Sequence, residues 1–192
     1  MPQTDTPALG EPAKPSVAQP VVYTIGHSAR PLDEFLGLLQ ANGVRLLLDV
    51  RTMPRSRHNP QFNRETLPDS LRAIDAAYLH LPGLGGLRKT HVDSGNGGWR
   101  NLSFRGYADY MQTAEFADDV QRVAELADKQ CCALMCAEAV PWRCHRSLIA
   151  DALIVRGIRV EDIIGSQRRS VHKLTPWARI DGLEITYPPE QA

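Results

Sequence analysis

Between residues 21 and 50 the hydrophobic pattern switches from strand to helix and back, and this alternation restricts the fold more than any other feature of the chain. Val21-Val22-Tyr23-Thr24-Ile25 is a β-branched run closed by Gly26-His27-Ser28, the pattern of a buried strand ending in a turn. Leu32, Phe35, Leu36 and Leu39 then recur at i, i+3, i+4 and i+7. Pro31 suits the helix start, Asp33 and Glu34 favour the positive end of its dipole, and Asn42-Gly43 closes it. Val44-Arg45-Leu46-Leu47-Leu48-Asp49-Val50 reads as the next strand. A strand, helix and strand at this spacing force a parallel pair with a right-handed crossover, so both strands end on the same edge. His27, Asp49 and Arg51 are expected on that edge, where open α/β sheets bind ligands.

The alternation continues downstream. Residues 78–81, 131–137 and 160–164 read as three further strands. Leu67, Leu71 and Ile74 mark a short helix, Phe104, Tyr107, Ala108 and Met111 a second, and Phe116, Val120, Val123 and Ala127 a third capped by Thr113. Leu148, Ile149, Ala152, Leu153 and Val155 form a last helix ended by Gly157. The expected fold is α/β, a Rossmann-like three-layer arrangement with a mostly parallel central sheet. The chain has 192 residues, enough for one self-sufficient core, and a single domain over residues 21–187 is expected. Residues 1–20 carry five prolines and read as a disordered tail, with a short second tail at 188–192. The polar, proline-rich stretch 52–62 reads as a basic functional loop, and the glycine-rich stretch 83–103 as a lid. A basic segment at 167–173 precedes Trp177, Leu183, Ile185 and Tyr187, which could fold it back onto the body.

The balance of 22 Lys and Arg against 22 Asp and Glu argues against a general nucleic-acid coat and leaves only local patches. No apolar run approaches a membrane span and no signal pattern opens the chain, so a cytoplasmic protein without membrane contact is expected. Cys131, Cys132, Cys136 and Cys144 are then expected to be reduced.

Chemistry concentrates where the fourth strand gives way to the last helix, in Cys136-Ala137-Glu138 and Arg143-Cys144-His145-Arg146. A tyrosine-phosphatase-type loop requires an arginine six residues after its cysteine, and Cys136 plus six is Trp142. Cys144 lies at a helix entry between two arginines and beside a histidine, surroundings that stabilise a thiolate; the alternative is plain packing. Cys136, Cys144 and His145 could instead hold a zinc ion, although seven residues separate the cysteines where structural sites favour shorter pairs. Glu138 and His27 are candidate proton carriers; the bland readings are an ion pair of Glu138 with Arg51, Arg143 or Arg146, and a turn role for His27. Asp49 is a further candidate, or merely the partner of Arg51. Arg51, Arg55, Arg57 and Arg146 could converge to cradle a phosphate. No cofactor is required by these residues, and a metal is the one candidate.

Thr24-Ile25-Gly26-His27-Ser28, Asp49-Val50-Arg51 with Pro54-Arg55-Ser56-Arg57, Leu84-Gly85-Gly86, and Cys136-Ala137-Glu138 with Pro141 and Cys144-His145-Arg146 together resemble the domain of unknown function 488 family over roughly residues 21–187. The resemblance implies a compact α/β domain of bacterial or archaeal type and a site at the matching residues, without an established reaction. The expected function is an enzyme acting on a phosphate-bearing substrate, a nucleotide or nucleic acid. The alternatives are a non-catalytic nucleotide- or nucleic-acid-binding module and a Cys/His metal-binding protein.

Overall fold

The computed structural model describes residues 20–166 and 168–189. The tails expected at 1–20 and 188–192 lie outside them, save for Pro20 and Pro188-Pro189. A six-stranded sheet forms the middle layer, built from β1 (Val21–Gly26), β2 (Leu46–Asp49), β3 (Ala77–His80), β4 (Cys132–Cys136), β5 (Arg159–Gly165) and β6 (Arg168–Val171) in the order β3-β2-β4-β1-β5-β6. The first five run parallel and β6 runs antiparallel to β5. The three-layer α/β fold expected from the sequence is the one observed.

Parallel strands covered on both faces need continuous apolar runs, and β2 and β4 are buried at every position. Alternation sorts their side chains. Leu46, Leu48, Cys132, Leu134 and Cys136 face a core shared with α3 (Leu102–Tyr110), α4 (Ala114–Ala127) and α5 (Arg146–Val155). Leu47, Ala133 and Met135 face a second core formed with α1 (Leu32–Ala41) and α2 (Leu67–Arg72). Thr113 accepts a hydrogen bond from the Phe116 amide and so caps α4 as its sequence suggests.

The chain therefore leaves β1 toward one face and β4 toward the other, although these two strands are neighbours. Loops that part from adjacent strand ends open a crevice, the usual ligand position in such sheets.

Two segments differ from their sequence reading. The stretch 83–103 is anchored: Asp109 on α3 accepts hydrogen bonds from Ser94 Oγ, Asn96 Nδ2 and the His91 amide, and the Gly98 amide donates to the Tyr187 carbonyl. Burial pushes the Asp109 carboxyl up, but the Ser94, Asn96 and His91 donors outweigh it and hold it below the ordinary range. The basic segment at 167–173 supplies the edge strand β6, and a hairpin of β7 (Arg179–Asp181) and β8 (Glu184–Thr186) follows, turning at Gly182 with φ +59°. Ile185 and Tyr187 are buried there while Leu183 stays exposed. Among the described residues no helix is long and apolar enough to cross a membrane.

Candidate functional site

The end of β2 places Asp49 and Arg51 two residues apart at the crevice, where they form a buried clamp. Arg51 donates from Nε to Asp49 Oδ1 at 2.8 Å and from Nη2 to Asp49 Oδ2 at 2.5 Å, and its own amide returns to Oδ1 at 3.1 Å. Tyr78 on β3 adds a hydroxyl bond to Oδ2 at 2.7 Å, and Nη2 also reaches the Phe62 carbonyl at 2.7 Å. Burial and this hydrogen bond to Asp49 together push the Tyr78 phenol far up. Burial opposes the guanidinium charge, but the Asp49 hydrogen bonds outweigh it and raise the Arg51 pKa.

His27, at the end of β1, completes the clamp. Its Nδ1 donates to the Ser28 carbonyl at 2.8 Å, which leaves Nε2 as acceptor for Arg51 Nη1 at 3.1 Å. The ring stacks on Phe62 with centroids 4.4 Å apart. Burial, aided by the Arg51 charge, lowers its pKa to about 4, so the imidazole is neutral at neutral pH. Gly26 is required at this strand end because a Cβ there would lie 1.9 Å from the Glu138 carbonyl oxygen.

The second wall comes from the turn after β4. Pro141–Arg143 forms a single 3₁₀ turn that brings Cys144 back against Cys136 and starts α5. The side chain of Arg146 is 1 % exposed. It donates from Nη2 to the Glu138 carbonyl at 2.6 Å and from Nε to Cys144 Sγ at 3.3 Å, and among the described residues it pairs with no carboxylate. A buried guanidinium without a carboxylate favours a nearby anion, and the Cys144 sulfur, held well below the ordinary thiol range, is the group placed to supply it. Interaction with the Cys136 thiol, whose sulfur lies within 4.8 Å, and the Arg146 charge hold Cys144 well below the ordinary thiol range, and Cys136 is pushed strongly up in turn. His145 Nε2 donates to the Val50 carbonyl at 3.0 Å, so Nδ1 faces Cys144 Sγ at 3.7 Å. Gly86 lies over this ring, and a Cβ on it would come within 2.5 Å of Nδ1.

Two clefts open on the crevice. The first, about 310 Å³, is lined by Arg51, Arg143, Cys144, His145 and Glu138, with Met53, Leu87 and Phe104 as apolar walls. The second, about 480 Å³, is lined by His27, Arg51, Arg55 and Glu138 with Ser28 and Asn59. Of the residues singled out from the sequence, His27, Arg51, Glu138 and Cys144 thus lie together. Asp49 lines neither cleft and acts on Arg51. Arg146 also lines neither and acts on Cys144. Arg55 reaches the second cleft and pairs at 3.3 Å with exposed Glu65, whereas Arg57 is exposed and lines neither. The Glu138 carboxylate is exposed and makes no ion pair among the described residues; its backbone carbonyl is the engaged group. Tyr78, Phe62 and Phe104 belong to the site but escape a sequence reading, because aromatic residues at helical or strand spacing look like core; the sequence offers Arg143 only as a flank of Cys144 or an ion-pair partner of Glu138.

The ligating atoms of Cys136, Cys144 and His145 lie within 4.8 Å of one another. The Val50 carbonyl holds the proton on His145 Nε2 and leaves Nδ1 free, as metal-binding histidines require, so this trio could hold a thiophilic metal ion with one position open to the first cleft.

Neither a curated protein nor a solved structure matches the chain. A family model described as "Domain of unknown function DUF488" matches residues 31–153, which include the Asp49-Arg51 clamp, the turn after β4 and nearly all of α5. On that match, which covers more than half of the chain, the protein belongs to the DUF488 family.

Proposed function

We propose that the protein is an enzyme acting on a phosphate-bearing substrate, a nucleotide or nucleic acid, with Cys144 as its nucleophile. The observation that carries this reading is the buried Arg146 guanidinium, whose Nε meets the Cys144 sulfur at 3.3 Å on the floor of a cleft shared with Arg51 and Arg143. The first Nη1 hydrogen of Arg51 goes to His27, and the second has no partner among the described residues. That hydrogen and Arg143, which makes no ion pair among the described residues, seat the phosphate. The Cys144 lone pair forms the new bond to phosphorus. The bond from phosphorus to the leaving oxygen breaks, and its electron pair departs on that oxygen, which takes a proton from solvent water. Glu138 takes the proton from the water that later frees the sulfur.

Alkylation by iodoacetamide, located by mass spectrometry, tests the reading. The rate at Cys144 is expected to change little between pH 8 and 6, where an ordinary thiol slows about a hundredfold. Saturating mononucleotide or single-stranded oligonucleotide is expected to protect it. A metal-held sulfur would instead alkylate slowly until a chelator is added. Ordinary pH dependence, or no protection by any of these anions, overturns the reading.

A further inference from the structure

The two clefts are joined and chemically unlike. Arg51, Met53, Ala137 and Glu138 line both, so a ligand passing over Arg51 enters either one. The first holds the Cys144 sulfur between apolar walls, with Met53 70 % and Leu87 77 % exposed at its mouth and Phe104 backed by Trp99 at 4.8 Å. Such a slot suits a flat, weakly polar group stacked on an aromatic face.

The second cleft has no comparable apolar wall beyond Met53. It presents the Ser28 hydroxyl and the Asn59 amide, neither of which has a side-chain hydrogen-bond partner among the described residues. The Arg55 guanidinium stands beside them in a 3.3 Å pair with Glu65, both partners mostly in solvent. Exposed pairs of that kind hold little energy and exchange readily for a phosphate. Hydroxyl, amide and guanidinium donors are the usual ligands of a sugar–phosphate backbone. Each cleft falls within the size range of small-molecule sites, so a mononucleotide placed against Cys144 leaves the other empty.

We infer that the substrate comprises at least two linked nucleotides: the reacting phosphate meets Cys144 with its base laid on the apolar walls of the first cleft, and the adjoining sugar–phosphate crosses Arg51 into the second cleft, onto Ser28, Arg55 and Asn59. This rests on the functional reading above and names its substrate class as a single-stranded nucleic acid.

Protection of Cys144 from iodoacetamide by 5′-mononucleotides and by the corresponding dinucleotides tests it. Wild-type protein is compared with an Arg55→Ala/Asn59→Ala variant, whose circular dichroism and melting temperature confirm an intact fold. The dinucleotide is expected to protect wild-type protein at about tenfold lower concentration than the mononucleotide. In the variant that ratio is expected to fall to near one. Equal protection by both ligands in wild-type protein, or an advantage that survives in the variant, overturns the inference and leaves the functional reading standing. Protection by neither ligand overturns both.

Discussion

Arg51 is held by more bonds than a surface anion hook requires, which identifies Asp49 as a positioning group. Asp49→Asn keeps the shape and removes the charge, leaving a buried guanidinium without its partner, and is expected to destabilise the fold by about 3–5 kcal/mol. Tyr78→Phe removes one hydroxyl bond from a carboxylate that keeps its other partners, for a loss of about 1 kcal/mol. Urea unfolding of the two variants measures the difference; equal losses would show that the Asp49 charge does not hold Arg51. At this scale the sequence is half legible. The Asp49–Arg51 pairing follows from two side chains two residues apart beyond a strand end. The contact of Arg146 with the Cys144 sulfur and a carbonyl does not, because it depends on how tightly the Pro141–Arg143 turn folds back.

Among the elements, the C-terminal segment is fastened to α5 by one carboxylate. Asp151 accepts from the Tyr187 hydroxyl at 2.8 Å and the Thr175 amide at 3.2 Å, and it meets His172 Nε2 at 3.0 Å; His172 Nδ1 lies 3.6 Å from Asp162. Burial opposes the His172 charge, but the two aspartates outweigh it and raise its pKa to about 9. The unfolded value is near 6.5, so the stability this histidine contributes is complete below pH 6.5, declines above it and is gone once pH has risen through about 9. His27 acts in the opposite sense: its folded pKa of about 4 means that its contribution is complete above pH 6.5 and is lost as pH falls through 4. The stability difference between wild-type protein and His172→Gln in thermal melts is therefore expected to be full at and below pH 6.5 and to shrink as pH rises through about 9, so that the two proteins differ in their alkaline limbs. An alkaline limb unchanged in that variant would refute the assignment. Strands β2 and β4 were legible because two-sided burial demands unbroken apolar runs, and β1 and β5 because β-branched residues fill them, whereas the edge strand β3 is only part-buried. β6 was not, since all four of its residues are exposed and its arginines guard a sheet edge rather than fill a core.

For the whole molecule, equal numbers of basic and acidic residues mean that binding to a nucleic acid must be local. Arg51 is already neutralised by Asp49, which leaves Arg55 and Arg143 as the cations that displace counterions at the clefts. The affinity for a single strand is then expected to fall with salt at a log–log slope of about −1.4, from two phosphates. A slope steeper than about −4 in a fluorescence-anisotropy titration would place the contact on a different surface. The sheet edge carrying the site was legible from the strand, helix, strand rhythm, but the crevice was not. It arises because β1 and β4 are neighbours whose chains leave on opposite faces, and strand order is not encoded in the local pattern.

The ion pair of Arg146 and Cys144 bears on how long anything can remain attached to that sulfur. A neutral adduct removes the charge at the sulfur and leaves the guanidinium, 1 % exposed, without its anion, whereas a phosphoryl adduct brings negative oxygens of its own. The fold thus disfavours neutral capped forms, and it does so from beneath the site. A thiolate held this way is suited to bonds that are made and released within one reaction cycle, and ill suited to storage of a neutral modified state.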